Sequence, residues 1–344
     1  MEYRLLGPSG LRVSELVLGA MTFGHPGGLG PDAAESRRIF DAYVAAGGNA
    51  IDTAINYSAG HSEAIVGDLV AADRDRFVVA TKYTVTRDGA DPNAAGNHRK
   101  NLVHSLELSL RRLETDYVDL YWVHIWDPNT PIDETMRALD DIVRSGKALY
   151  VGISDAPAWV VARAQTLADW RGWSPFVALQ LPYSLVQREI ERELLPVADA
   201  FGLSVVAWSP LAGGILSGKY GGTDAPTGTR HSGADISERD LAIAREVQAV
   251  ASEIGASPSQ VAIAWTMARS DAVLPIVGAR NLVQFEDNLG ALAVDLSAET
   301  MTRLDAASAI TLGFPHDFMT ETAPWLYGEA GTRVRPRPAS ELRH

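Results

Sequence analysis

The sequence predicts a single (β/α)8 barrel, and three observations point there. Short apolar runs alternate with helix-patterned segments, eight such units follow one another, and side chains of catalytic type sit at the ends of the runs. Such alternation calls for a parallel sheet with right-handed crossovers. Eight units favour closure over an open doubly wound sheet. In a closed parallel barrel all strand ends share one rim, where function sits.

Tyr3-Arg-Leu-Leu-Gly and Leu11-Arg-Val-Ser flank the turn signal Pro8-Ser9-Gly10, predicting a hairpin that caps the barrel bottom. Leu16–Gly19 reads as the first barrel strand. Asp32–Ala46, apolar at Ile39, Tyr43 and Val44 and stopped by Gly47-Gly48, reads as the first helix. Further strands are expected at 49–53, 77–82, 118–124, 148–154, 177–181, 203–208 and 273–277. Helices are expected near 62–70, 99–113, 132–145, 157–169, 189–201, 237–254, 259–270 and 282–291, with one more from Ser297 to about 308. The proline-bearing tail, 310–344, reads as an irregular flap, disordered over 329–344. No linker divides the chain, so 1–344 reads as one domain.

The 344 residues suffice for a large core, and 46% hydrophobic with 21% charged residues is ordinary for a globular chain. No apolar run reaches membrane-span length, and the N-terminal residues lack the basic and apolar stretches of a secretory signal. The absence of cysteine excludes disulfides and thiolate chemistry, and fits a cytoplasmic location. A net charge of −13 opposes binding to phosphate backbones, so no nucleic-acid partner is expected. The histidines show no HxxxH or HExxH spacing, so no metal is expected.

Carbonyl reduction needs a hydride donor and an acid for the developing alkoxide. A tyrosine can be that acid if a nearby ammonium lowers its pKa from about 10. Tyr57, Lys82 and Asp52 supply hydroxyl, ammonium and a paired carboxylate, and His124 can orient the substrate oxygen. Each residue alone has a bland reading as a cap, a solvated cation or a core histidine. Their recurrence at consecutive strand ends argues for a site.

Two motifs are false leads. Gly28-Leu-Gly30-Pro-Asp-Ala33 imitates the dinucleotide fingerprint, but its strand ended near Gly19 and Pro31 suits helix entry. Gly213-Gly-Ile-Leu-Ser-Gly218-Lys219-Tyr220 nearly matches a P-loop, but Tyr220 replaces the hydroxyl that would hold Mg²⁺.

Asp52-Thr-Ala-Ile-Asn-Tyr57-Ser-Ala-Gly60-His-Ser-Glu63, Thr81-Lys82, His124-Ile-Trp-Asp127, Gly146-Lys147 through Gly152-Ile-Ser154, and Trp208-Ser-Pro210-Leu-Ala-Gly-Gly214 occur in that order. With them the chain resembles the aldo-keto reductase superfamily from about Tyr3 to Gly313. Within it, the likeness is to the branch of potassium-channel β-subunits and related bacterial and plant reductases. The resemblance implies a TIM barrel, NADP(H) as cofactor and a small carbonyl substrate. It makes Tyr57 the general acid, Lys82 and Asp52 its tuning pair and His124 the orienting group. In the channel subunits another residue takes the histidine's place, so His124 leans toward a working enzyme.

By the same likeness Ser154, Asp155 and Gln180 bond the nicotinamide carboxamide, although the family usually has Asn where Asp155 stands. Ionised Asp accepts but cannot donate. Trp208 stacks on the nicotinamide or simply lines the barrel wall. Ser209, Leu211, Gly213 and Lys219 would line the diphosphate, and Arg230 would approach the adenosine phosphate. The segment from Gly278 opens a helix whose N-terminus suits a phosphate. There Arg280 and Gln284 would recognise the 2′-phosphate, and Asp287 and Asn288 the adenine. Phe23 and Trp126, with Phe314, Phe318 and Trp325, suggest an apolar substrate pocket. Two alternatives stay open: a nicotinamide-binding sensor or regulatory subunit with little turnover, and a biosynthetic keto or enoyl reductase acting on a sugar or secondary-metabolite intermediate. Oligomeric state is not readable from the sequence.

Overall fold

The computed structural model describes residues 1–25, 30–220 and 236–334. Strands β1 (Tyr3–Leu5) and β2 (Arg12–Ser14) pair antiparallel. The following strands are β3 (Val17–Gly19), β4 (Ala50–Asp52), β5 (Val78–Tyr83), β6 (Val118–Val123), β7 (Ala148–Ser154), β8 (Phe176–Pro182), β9 (Ser204–Trp208) and β10 (Val273–Val277). They pair in parallel and close into a barrel in sequence order, β10 returning to β3. The expected (β/α)8 architecture is present.

Two apolar layers follow from the pleat, which sends alternate residues to opposite faces. Val17, Ala50, Val78, Ala80, Leu120, Trp122, Val206 and Leu274 pack together with Leu6 and Val13 of the hairpin. Gly7, next to that hairpin strand, donates its N–H to Ser204 Oγ at 2.8 Å. An added Cβ on Gly7 would come within 1.9 Å of Val177 O, so the hairpin plugs the strand-start end closely. Trp122 is fully buried in the barrel. Gly152 admits it, because a Cβ there would lie 2.3 Å from the indole.

The second layer joins the outer strand faces to the helices. These are α1 (Ala33–Ala45), α2 (His61–Val70), α3 (Arg99–Leu113), α4 (Ile132–Arg144), α5 (Ala158–Arg171), α6 (Leu194–Phe201), α7 (Glu238–Ile254), α8 (Pro258–Met267) and α9 (Leu282–Leu289). Their starts follow capping chemistry. Asp32 accepts from Glu35 N, Ser237 from Asp240 N, and Ser257 forms a reciprocal capping box with Gln260.

Three expectations need correction. The helix expected over 189–201 is split into a single turn at Glu189–Glu191 and α6. Pro196 lacks an N–H and fits only a first turn, so α6 begins just before it. The helix expected over 282–291 ends at Leu289 and tightens into a turn at Gly290–Ala293. Beyond α10 (Ala298–Ala307), the tail is not wholly irregular, because His316–Tyr327 forms α11. No residue of α11 is buried, and Phe314, Phe318 and Trp325 are exposed. They do not line a closed pocket.

Candidate active site

Asp52 ends β4 and Lys82 lies near the end of β5. Asp52 is 3% exposed and Lys82 fully buried. A buried ion is costly unless paired and hydrogen-bonded, and here every donor has a place. Lys82 Nζ forms an ion pair with Asp52 Oδ1. It also donates to Thr53 O at 2.8 Å and to the Tyr57 hydroxyl at 3.1 Å. Gln180 Nε2 donates to the other Asp52 oxygen at 2.8 Å. The His124 ring meets the Tyr57 ring edge to face, with centroids 5.7 Å apart. The structure therefore brings Asp52, Tyr57, Lys82 and His124 together at the strand-end rim.

The electrostatics depart from the expectation in one respect. Burial raises the Tyr57 pKa, and the Lys82 ammonium lowers it by less, so the net shift is upward. The expected net lowering is therefore absent. Burial pulls Lys82 down, but Asp52 and Tyr57 outweigh it and its pKa ends above the ordinary value. For His124, burial and then Lys82 lower the pKa from 6.5 to about 3, so the imidazole is neutral at pH 7. Its Nδ1 is buried with no hydrogen-bond partner.

Tyr57 stands on a constrained loop. Ser58, Ala59 and Gly60 have φ of 48°, 55° and 94°, a left-handed run that is strained for the first two residues. Arg112 on α3 braces it. Its guanidinium donates to Ile55 O at 2.7 Å and to Glu63 Oε2 at 3.1 Å. Glu63 is fully buried and accepts from Thr81 Oγ1 at 2.7 Å. Gly60 is required beneath this brace, since its Cβ would fall 2.4 Å from Arg112 Cζ. Sequence reasoning placed Glu63 and Thr81 in the motifs but missed Arg112. No local signal separates it from the other cations of an amphipathic helix.

On the opposite side of the rim, Ser154 ends β7 and donates to Gln180 O at 2.8 Å. Asp155 follows with φ 45° and is exposed to the rim. Its Oδ1 accepts from Trp208 Nε1 at 3.3 Å, although β8 lies between β7 and β9. Burial raises the Asp155 pKa against smaller lowering by Trp208, Ser154 and Lys82.

After β9, Ser209, Ala212, Gly213 and Gly214 all have positive φ. Ser209 Oγ accepts from Gly213 N at 3.1 Å. The Lys219 ammonium folds back over Gly214, where a Cβ would lie 2.6 Å from Nζ. Leu211 packs against the core. At α9, Leu282 N already donates to Glu35 Oε1 at 2.7 Å, and Gln284 N to Asn281 Oδ1 at 3.0 Å. Two of the amides at this N-terminus thus already have side-chain acceptors. Gln284 Oε1 accepts from Arg280 N at 3.2 Å. Asp287 accepts from Ser257 and Gln260, and Asn288 is buried and donates to Gly278 O at 3.3 Å. Arg230 lies outside the described residues.

The two substrate candidates separate. Trp126 is partly buried at the rim, and its backbone N–H donates to Asp155 O at 3.4 Å. Phe23 is fully buried in the core, so it backs the wall rather than facing a substrate. Asn97 is a further residue that sequence reasoning did not single out. It is fully buried and fastens the loop of Ile125 and Asp127, donating to Ile125 O at 3.0 Å and accepting from Asp127 N at 2.6 Å. Among the described residues no group of His, Asp and Glu is placed to hold a metal, and no helix is long and apolar enough to cross a membrane.

A half-buried tyrosine hydroxyl beside a buried ion pair, on a rim that also carries Lys219 and Arg280, suits the reduction of a carbonyl. The aldo/keto reductase family model matches residues 15–309. The chain belongs to that family. It is 34% identical over 337 residues to norsolorinic acid reductase A of Aspergillus parasiticus, covering 94% of this chain and 86% of that protein. It is 37% identical over 338 residues to aryl-alcohol dehydrogenase [NADP(+)] of Phanerodontia chrysosporium, covering 92% and 88%. These relatives are named for reduction and dehydrogenation, and the finer likeness to channel β-subunits is not shown by them.

Proposed function

We propose that Tyr57 is the general acid of this NADP(H)-dependent aldo-keto reductase, which interconverts an aldehyde or ketone and its alcohol. The observation that carries this is the 3.1 Å contact between the Tyr57 hydroxyl and a fully buried Lys82 ammonium. The residues fit the cofactor. Lys219 over the Gly213-Gly214 turn offers a cationic cradle for a diphosphate, and Arg280 offers a cation for a 2′-phosphate. Ser154, Asp155, Gln180 and Trp208 would hold the nicotinamide end.

NADP(H), when bound, supplies or accepts the hydride. Tyr57 donates its proton to the carbonyl oxygen as negative charge develops there, and Lys82 stabilises the resulting phenolate. Asp52 and Gln180 keep Lys82 in place. Neutral His124 orients the carbonyl oxygen without competing for the proton. Trp126 and Trp208 offer aromatic surface at the rim, which supports an aromatic carbonyl. A narrower reading, a biosynthetic intermediate as substrate, is supported by the relatives named norsolorinic acid reductase. The sensor reading suggested by the channel-subunit likeness lacks such support, and the complete tetrad speaks against it.

The test is NADPH oxidation with aromatic, aliphatic and sugar-type carbonyls, beside Tyr57→Phe. The variant should lose about a hundredfold or more in kcat while binding cofactor as before. Undiminished turnover would remove Tyr57 from this role. Activity confined to bulky polycyclic ketones would favour the biosynthetic reading.

A further inference from the structure

Among the tetrad and its neighbours on β7 to β9, one charge is left over. Lys82 and Asp52 cancel each other as a buried pair. Tyr57 carries no charge, and His124 is neutral. Asp155 remains. Among the described residues it has no salt-bridge partner; its carboxylate accepts the Trp208 indole N–H at 3.3 Å. It reaches from the end of β7 to the end of β9 across β8, whose Gln180 bonds Asp52. Its carboxylate lies close enough to act electrostatically on Tyr57 and Lys82.

We infer that Asp155 is a selector of cofactor redox state, its carboxylate favouring the cationic oxidised nicotinamide over the neutral reduced one. This rests on the reading of the rim as an NADP(H) site. The chemistry balances within the reaction. When a carbonyl is reduced, the C4–H bond of the dihydronicotinamide breaks and its electron pair forms the new C–H bond. The Tyr57 proton passes to the oxygen, and the ring is left with one positive charge. A fixed negative charge beside that ring stabilises the charge as it forms. An amide at position 155 would be indifferent to it. The consequence is directional. Asp155 assists carbonyl reduction and holds the oxidised cofactor more tightly after turnover.

The conformation makes the substitution clean. Asp155 has φ 45°, a region that Asn also tolerates, so Asp155→Asn changes charge and leaves shape and backbone in place. The experiment titrates wild type and Asp155→Asn with NADP⁺ and with NADPH by calorimetry, without substrate. The expected result is that the ratio of NADP⁺ to NADPH affinity falls by about tenfold or more in the variant, nearly all of it from weaker NADP⁺ binding. An unchanged ratio, with both forms bound, overturns the inference and leaves the cofactor reading intact. Failure of wild type to bind either form overturns both.

Discussion

His124 converts burial into a measurable dependence of stability on pH. Folding lowers its pKa from 6.5 to about 3. Between those values the unfolded chain holds a proton that the folded chain does not, so acid favours unfolding. The contribution is fully present above about pH 7 and is lost as pH falls from 6.5 toward 3. At 1.36 kcal/mol per pKa unit, the loss reaches about 2 kcal/mol at pH 5 and is bounded near 5 kcal/mol below pH 3. His124→Gln keeps a polar side chain of similar reach and removes the titration. The assay is urea unfolding of both proteins at pH 8 and pH 5. Carboxylates elsewhere contribute alike to both proteins, so the difference between them isolates His124. Wild type should lose about 2 kcal/mol more than the variant over this interval. Parallel losses would refute the argument. So would an NMR titration placing the His124 pKa near 6.5.

Three further outcomes follow from the site. Lys82→Met leaves Asp52 buried against one amide donor, and should cost about 3 to 5 kcal/mol in urea unfolding; adding Asp52→Asn should restore much of this, and additive losses would contradict a coupled pair. Arg112→Ala releases Ile55 O and leaves Glu63 buried without its ion-pair partner, so kcat should fall about tenfold or more with KM little changed, because the Tyr57 loop loosens; Arg112→Lys should recover part of it, and equal kcat in all three proteins would remove the brace from the mechanism. Arg280→Ala should weaken NADPH by about tenfold or more in direct binding while sparing NADH, and an equal loss for both would reject the 2′-phosphate assignment.

The barrel was legible because its signals are periodic and local. Strand ends marked by Asp52, Lys82, His124 and Ser154 fall where the alternation of apolar runs places them. What was not legible depends on distance and competition. Arg112 looks like any cation of α3 until the fold brings it under Gly60. Asp287 and Asn288 read as ligands of adenine, and their bonds to Ser257, Gln260 and the Gly278 carbonyl were not visible in the motif. Glu35, which supplies an acceptor to the α9 N-terminus, lies too far away in sequence to be suspected. The Tyr57 shift was misjudged for a different reason. Proximity to an ammonium can be inferred from a motif, whereas the depth of burial opposing it cannot.

The pleat explains how one strand serves both the chemistry and its support. On β5, Lys82 points into the barrel and reaches Asp52, Thr53 and Tyr57. Thr81, one residue earlier, points to the opposite face and meets Glu63. The loop carrying Tyr57 is thus held from both sides of the barrel wall. Lys82 grips its hydroxyl from within, and Arg112 grips its backbone at Ile55 from without. The Ile55 N–H closes the circuit by donating to Lys82 O at 3.2 Å. A strained left-handed run persists only when its surroundings over-determine it, and these three tethers do so. Substitutions at Arg112 in α3 therefore act on Tyr57 through the geometry of the loop that carries it.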